Sequence, residues 1–284
     1  MNPAPPPRGS IAWRYASDAR TMMGAGAALI LQVAHPTVAA GVREHSNFER
    51  DPWGRLLRTL DHTNLLLYGG PEAARATGER LREMHKRIKG VAPDGTRYHA
   101  LEPEAYAWVH ATLAETIAGS HARFGRPLTP DQRARFWEEW RGLGRLLGIR
   151  EGDLPDTWDA FRAYVDEMCA TQLEPSDVVD DVLDSLAEPK PPDVRGLGPR
   201  AWKAITLPTS HTMRLATIGL LPDTARRALH LEWTRANELE LNAIGRVSRA
   251  ATPVMPRSLR IVGPGYLRWR SDAIAGGPFG RAAA

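Results

Sequence analysis

The longest apolar run in the chain, from Met22 to Val42, is interrupted by Gln32, His35 and Pro36. A membrane span of that length would tolerate neither the histidine nor the break, because unsatisfied polar groups are costly in lipid. The run therefore predicts a buried core helix. Pro36 has no backbone N–H to give and should kink or end the helix there. Polar residues keep intruding downstream. Between Ala34 and Thr59 the chain places His35, His45, Arg55, Arg58 and Thr59 among apolar neighbours, and it repeats the pattern at Met84-His85 and Trp108-Val109-His110. Burying such groups without partners costs about 1–3 kcal/mol each.

Helical periodicity dominates, and no run alternates as a strand would. The expected fold class is all-α: a single multi-helix, bundle-like domain over residues 12–250 that encloses a cofactor, with a loop at 187–200 inside it. Residues 1–11 read as a disordered N-terminal segment and 251–284 as a Pro/Gly/Arg-rich tail. A first helix runs from near Trp13 to Ala40, with a break, and places Ala28, Leu31, His35, Val38 and Val42 on one stripe. Asp51-Pro52 reads as an N-cap with proline in the first turn. It opens a helix from Trp53 to Tyr68, stopped by Gly69-Gly70. Further helices are expected over Glu72–Lys89, Pro103–Ser120, Pro130–Leu147, Asp156–Leu173, Glu174–Leu186, Ala201–Leu220 and Asp223–Arg249, with a turn at Val91–Gly95.

Several chemistries are disfavoured by the composition. The net charge of +4 is carried mostly by arginines interleaved with Asp and Glu, which argues against nucleic acid as partner. A single cysteine, Cys169, rules out an internal disulfide and any multi-cysteine metal site. No His-Glu-x-x-His or Glu-x-x-His pattern occurs, and Gly24-x-Gly26 lacks the third glycine of a dinucleotide loop. The proline-rich start, Met1 to Ser10, lacks the apolar region of a secretory signal. A cytoplasmic protein without a membrane span is the expectation.

His85 shares a helical stripe with Leu81, Met84 and Ile88, and His110 one with Tyr106, Val109, Leu113 and Ile117. Each alone is most simply a core histidine bonded to a backbone carbonyl. Three inward histidines (His35, His85, His110) call for more. Arg55, Arg58 and Thr59 fall within one helical turn and are expected to face one direction, where an arginine fork suits carboxylate or phosphate. An axial histidine on a helix, apolar neighbours and arginines for propionates is the set that haem b uses. His62, His99, His121, His211 and His230 lack this apolar context and read as incidental.

The run LQVAHPTVAAGVREHSNFERDPWGRLLRT from Leu31 to Thr59 resembles a known family. So do Met84-His85-x-x-Ile88-Lys89-Gly90, Tyr98-His99-Ala100-Leu101 and Trp108-Val109-His110-Ala111-Thr112-Leu113. It is the oxygenase family that includes a fungal ER-bound oxygenase and the bacterial rubber oxygenases, and the likeness extends over roughly residues 12–185. The resemblance implies an all-helical haem b enzyme that uses dioxygen as co-substrate on an apolar or unsaturated small molecule, with an electron donor as a possible partner. His85 would then be the proximal iron ligand. Arg55, Arg58 and Thr59 match the family's distal helix, with Arg58 where the rubber enzymes have a lysine ligand. An arginine stays protonated and is a poor iron ligand; on the distal side it would stabilise developing negative charge or anchor a propionate. Leu56, Leu60 and Met84 would wall the pocket. His35, His45 and His110 would bind a propionate, line the pocket or take the axial position. The rival readings are a haem protein that is not an oxygenase (a gas sensor, a peroxidase-like enzyme or a haem carrier) and a cofactor-free helical interaction protein that uses some of its nine tryptophans.

Overall fold

The computed structural model describes residues 3–46, 51–92, 94–191 and 199–276. Asn47 and Phe48, within the opening motif, and 192–198, within the expected loop, lie outside them. The chain is helical almost throughout. In order come α1 (Ile11–Ala16), a 3-10 turn (Ala19–Gly24), α2 (Ala25–Val33), α3 (Pro36–His45), α4 (Pro52–Tyr68) and α5 (Gly70–His85). After a short β-hairpin, Lys89–Val91 with Arg97–His99, follow α6 (Pro103–Phe124), α7 (Pro130–Leu146), α8 (Trp158–Thr171) and α9 (Asp177–Ala187). The chain continues with α10 (Pro199–Leu220), α11 (Asp223–Ala228), α12 (Arg235–Ala251), α13 (Arg257–Arg260) and α14 (Gly263–Gly276).

The long first helix is in fact four pieces. Asp18 accepts from the Arg20 amide and starts the 3-10 turn. The backbone of His35 is extended, and Pro36 occupies the first turn of α3. The segments on either side, Ala19–Val33 and Pro36–His45, are bent by 100°. His35 therefore stands at a corner and not on a continuous stripe with Val38 and Val42. Among the described residues no single helix is long and apolar enough to cross a membrane.

The core is built around α6, whose Trp108 and His110 are almost fully buried, with Phe136, Trp137 and Trp140 of α7 and Phe161 of α8 beside them. Trp137 stacks on Phe161 with ring centroids 4.1 Å apart, and Phe136 stacks on Trp140 at 5.7 Å. These tryptophans are core, not interface. α7 is opened by a reciprocal capping box between Thr129 and Gln132.

Four more differences from expectation have identifiable causes. The β-hairpin escapes periodicity because its strands are three residues long, yet pairing Gly90 with Tyr98 buries the tyrosine ring. The predicted last helix divides into α11 and α12 at His230, whose φ is +54°. The segment beyond Thr252 is no loose tail: α14 packs on α4, where the buried Arg270 donates to both carboxylate oxygens of Asp61 at 3.0–3.1 Å. Tyr266 joins the same carboxylate at 2.6 Å. At the other end of the chain Ser10 caps α1, so part of the segment read as disordered is ordered.

Candidate functional site

α4 and α5 form a helical hairpin, and the residues that concern function lie at its open end. Asp51 caps α4, accepting from the Gly54 amide at 2.9 Å, and the chain reverses at Gly69-Gly70. Gly70 takes φ +85°, a conformation that a side chain would strain. The reversal brings His85, at the end of α5, back beside the first turns of α4. Each charge then registers on its neighbour: Arg55 lowers the pKa of His85, and His85 in turn contributes to lowering that of His62. Burial is the larger cause for both histidines.

The His85 ring is held at one nitrogen. Its Nδ1 lies 2.6 Å from the carbonyl of Leu81, one turn back, so Nδ1 carries the proton and Nε2 the lone pair. The ring meets Tyr106 edge-on at 5.6 Å. A backbone carbonyl on one ring nitrogen is the usual way proteins orient a histidine that ligates metal through the other.

Arg55 is the second unusual group. It is removed from much of the surrounding water, and burial, helped by the charge of Arg58, pushes its pKa down. Its guanidinium donates to the Ser46 hydroxyl, and no carboxylate faces it among the described residues. Arg270, the arginine most withdrawn from solvent among the described residues, is by contrast neutralised by Asp61. Arg58 points the other way. It is exposed and pairs with Asp51 at 3.2 Å. Thr59 is also exposed and gives its hydroxyl proton to the Arg55 carbonyl at 3.0 Å. The expected trio thus shares a turn, but only Arg55 turns inward. Leu56 and Met84, the expected walls, are 40% and 43% exposed, so they form an apolar surface beside the polar pair.

The remaining candidate histidines are elsewhere. His110 is buried in a reciprocal pair with Trp140: its Nε2 lies 2.9 Å from the Trp140 carbonyl, and the indole Nε1 donates to the His110 carbonyl at 3.1 Å. The two rings stack at 5.3 Å, and Gly144 permits the approach, since a Cβ there would sit 3.0 Å from His110 Nε2. It is a satisfied core histidine. His45 lies with Tyr98 and Glu44, its Nε2 3.2 Å from the tyrosine hydroxyl. His35 is 4% exposed, and neither ring nitrogen has a hydrogen bond. Glu104 Oε1 stands 3.7 Å from Nε2, at ion-pair but not hydrogen-bond distance. Burial pushes the His35 pKa down and Glu104, Glu102 and Glu174 oppose it, so its charged neighbours are not those of His85.

His62, read as incidental, belongs to the His85 environment instead. The signal was present, since His62 follows Arg55 by two helical turns.

Two cavities lie away from this hairpin end. One of about 560 Å³ is lined by Gly119, Arg123, Gly219, Asn242 and Arg249 among others, and one of about 310 Å³ adjoins Trp13 and Arg257. Neither is lined by His85 or Arg55. Among the described residues no three His, Cys, Asp or Glu side chains gather to hold a metal ion. A metal at His85 must therefore bring most of its own ligands. Haem does so, and it offers apolar surface to Leu56 and Met84 and carboxylates to Arg55. The residues present fit that group.

The described residues thus form an all-α domain in which a helix-borne, oriented histidine lies beside an arginine with no carboxylate partner among them. The chain belongs to the family described as ER-bound oxygenase mpaB/B'/Rubber oxygenase, catalytic domain, which it matches over residues 13–250. The matched region is thus an oxygenase catalytic domain. The chain is also similar to two uncharacterized mycobacterial proteins, one from Mycobacterium bovis and one from Mycobacterium tuberculosis. Each is 23% identical over 244 residues, covering 83% of this chain and 90% of the relative. No solved structure matches the chain significantly.

Proposed function

We propose that this chain is a haem b-dependent oxygenase that uses dioxygen on an apolar or unsaturated small molecule. The observation that carries the reading is the pairing, in one hairpin, of His85 in its Nδ1–H tautomer with Arg55, a desolvated cation that has no carboxylate partner among the described residues. Haem, when bound, supplies the redox-active iron that activates dioxygen.

The chain's own residues have separable parts. His85 would hold the iron through Nε2, with the Leu81 carbonyl fixing the ring's orientation and raising its basicity. Arg55 would bind a propionate through charge-assisted hydrogen bonds, which gives it the carboxylate that the described residues do not provide. Arg58 pairs with Asp51, and a guanidinium is a poor iron ligand, so Arg58 would not itself hold the metal. Leu56, Leu60 and Met84 would cover the apolar ring and exclude water. Thr59, its hydroxyl committed to the helix, shapes the turn that aims Arg55.

Purified protein supplied with haem should develop a Soret band and consume oxygen when given an alkene-bearing substrate. A haem-loaded protein that shows the band but no oxygen uptake across a panel of unsaturated lipids and terpenes would favour a carrier or sensor. A protein that takes up no haem would refute the cofactor assignment and leave the family membership standing.

A further inference from the structure

From Glu240 to Asp272 the chain carries no acidic residue, while six arginines fall between them. Two of these, Arg257 and Arg260 of α13, meet Arg8 and Arg14 from the N-terminal segment around the cavity of about 310 Å³. An isolated β-bridge between Asp18 and Ile261 ties the two segments together.

Four guanidiniums around one cavity repel each other unless something negative offsets them. The only acid in the lining is Asp18, and it is committed: Arg20 holds Oδ1 through its backbone amide at 3.0 Å and its Nε at 2.7 Å, and holds Oδ2 through Nη2. None of Arg8, Arg14, Arg257 and Arg260 has a carboxylate partner among the described residues. Some arginines elsewhere do find one, as Arg123 does in Glu238, Arg141 in Asp156 and Arg226 in Asp223; what sets these four apart is that they converge on one cavity. Trp13 and Ile261 give the cavity apolar walls, which strengthen charge interactions by lowering the local dielectric. Beside it, Val254 and Leu259 are 83% and 62% exposed.

We propose that this cavity is a phosphate-binding site, separate from the His85 hairpin, for a phosphate ester with an apolar body. Planar guanidinium forks match the tetrahedral oxygens of phosphate in pairs, and four of them can neutralise a dianion. The apolar body would rest on Trp13 or on the exposed Val254 and Leu259. The phosphate has two possible sources, a small free ester and the headgroup of an anionic lipid.

The full chain should be titrated with inorganic pyrophosphate by calorimetry. In parallel it should be sedimented with phosphatidylcholine vesicles made with and without phosphatidic acid. Arg257→Glu/Arg260→Glu should weaken binding by at least about tenfold, while Arg227→Glu, an exposed arginine on α11 outside the cavity, should not. Binding of pyrophosphate lost in the double variant marks a free ester. Sedimentation that requires phosphatidic acid and is lost in the same variant marks a headgroup. Should that variant not fold, Arg8→Ala/Arg14→Ala reads the same cavity from the other segment. Failure of the wild-type chain to bind either probe overturns the proposal, as does binding that the cavity variants leave unchanged. Neither result depends on whether haem binds at His85.

Discussion

His110 and His85 occupy the same kind of position in the sequence, a histidine on the apolar stripe of a long helix, and they end in opposite circumstances. His110 is completed by the protein: Trp140 exchanges hydrogen bonds with it and stacks on it, and burial drives its pKa down to about 4. His85 is completed at one nitrogen only, and its neighbour Arg55 is a desolvated cation without a carboxylate partner among the described residues. Packing has closed the first region and left the second chemically unfinished. Periodicity reports that a histidine points inward; bonding reports whether anything else is needed there.

The contrast can be broken most forcefully in the core. Trp140→Ala removes a fully buried indole, a stacking partner and a donor at once, and should cost about 3–5 kcal/mol in denaturant unfolding. A cost below about 1 kcal/mol would mean the α6–α7 core is not the rigid frame described.

Acid tests the same contrast with a smaller effect. His110 is held neutral in the fold, with a pKa of about 4 against an ordinary 6.5 in the unfolded chain. The unfolded state therefore takes up the extra proton between these values. The stability contribution is intact above about pH 6.5 and is lost as pH falls towards 4, by about 3 kcal/mol in all. His35, His62, His85 and His121 are shifted in the same direction and add to the slope. The melting temperature should fall steeply from pH 7 to 4.5, and less steeply in His110→Gln.

At the hairpin the predictions change sign. Arg55→Met deletes a desolvated cation that has no carboxylate partner among the described residues, so haem-free protein should be as stable as wild type or up to about 1 kcal/mol more stable. Haem affinity in the same variant should drop about tenfold, for loss of one charge-assisted anchor. Arg58→Ala is the mildest: its exposed pair with Asp51 should be worth under about 1 kcal/mol in thermal unfolding.

Much of the fold was legible because the chain is punctuated by residues with one structural use. Asp51-Pro52 and Gly69-Gly70 bracket α4 to within a residue, and Thr129-Pro130 opens α7. Where the punctuation is tertiary, the sequence is silent. α14 is helical against its Pro/Gly/Arg composition because Arg270 and Tyr266 reach Asp61 across the molecule. The corner at His35 was visible as a proline, but not its angle. At the candidate site, helical spacing placed His85 on an apolar stripe and put Arg55, Arg58 and Thr59 on one turn. That Arg58 and Thr59 face water does not follow from spacing, because neighbouring positions on one turn are separated only by how the helix rolls against α5.

Haem loading of wild type, His85→Ala and His45→Ala, each followed by absorption spectroscopy and haem content, tests the central claim most directly. His45 is the useful control, since it is exposed and its ring meets Tyr98 rather than His85, although its chain neighbour Ser46 accepts from Arg55. Wild type and His45→Ala should show the same Soret band and one haem per chain, and His85→Ala should lose or shift the band and regain it with added imidazole. A His85→Ala protein with the wild-type spectrum, or wild type that takes up no haem, would contradict the account.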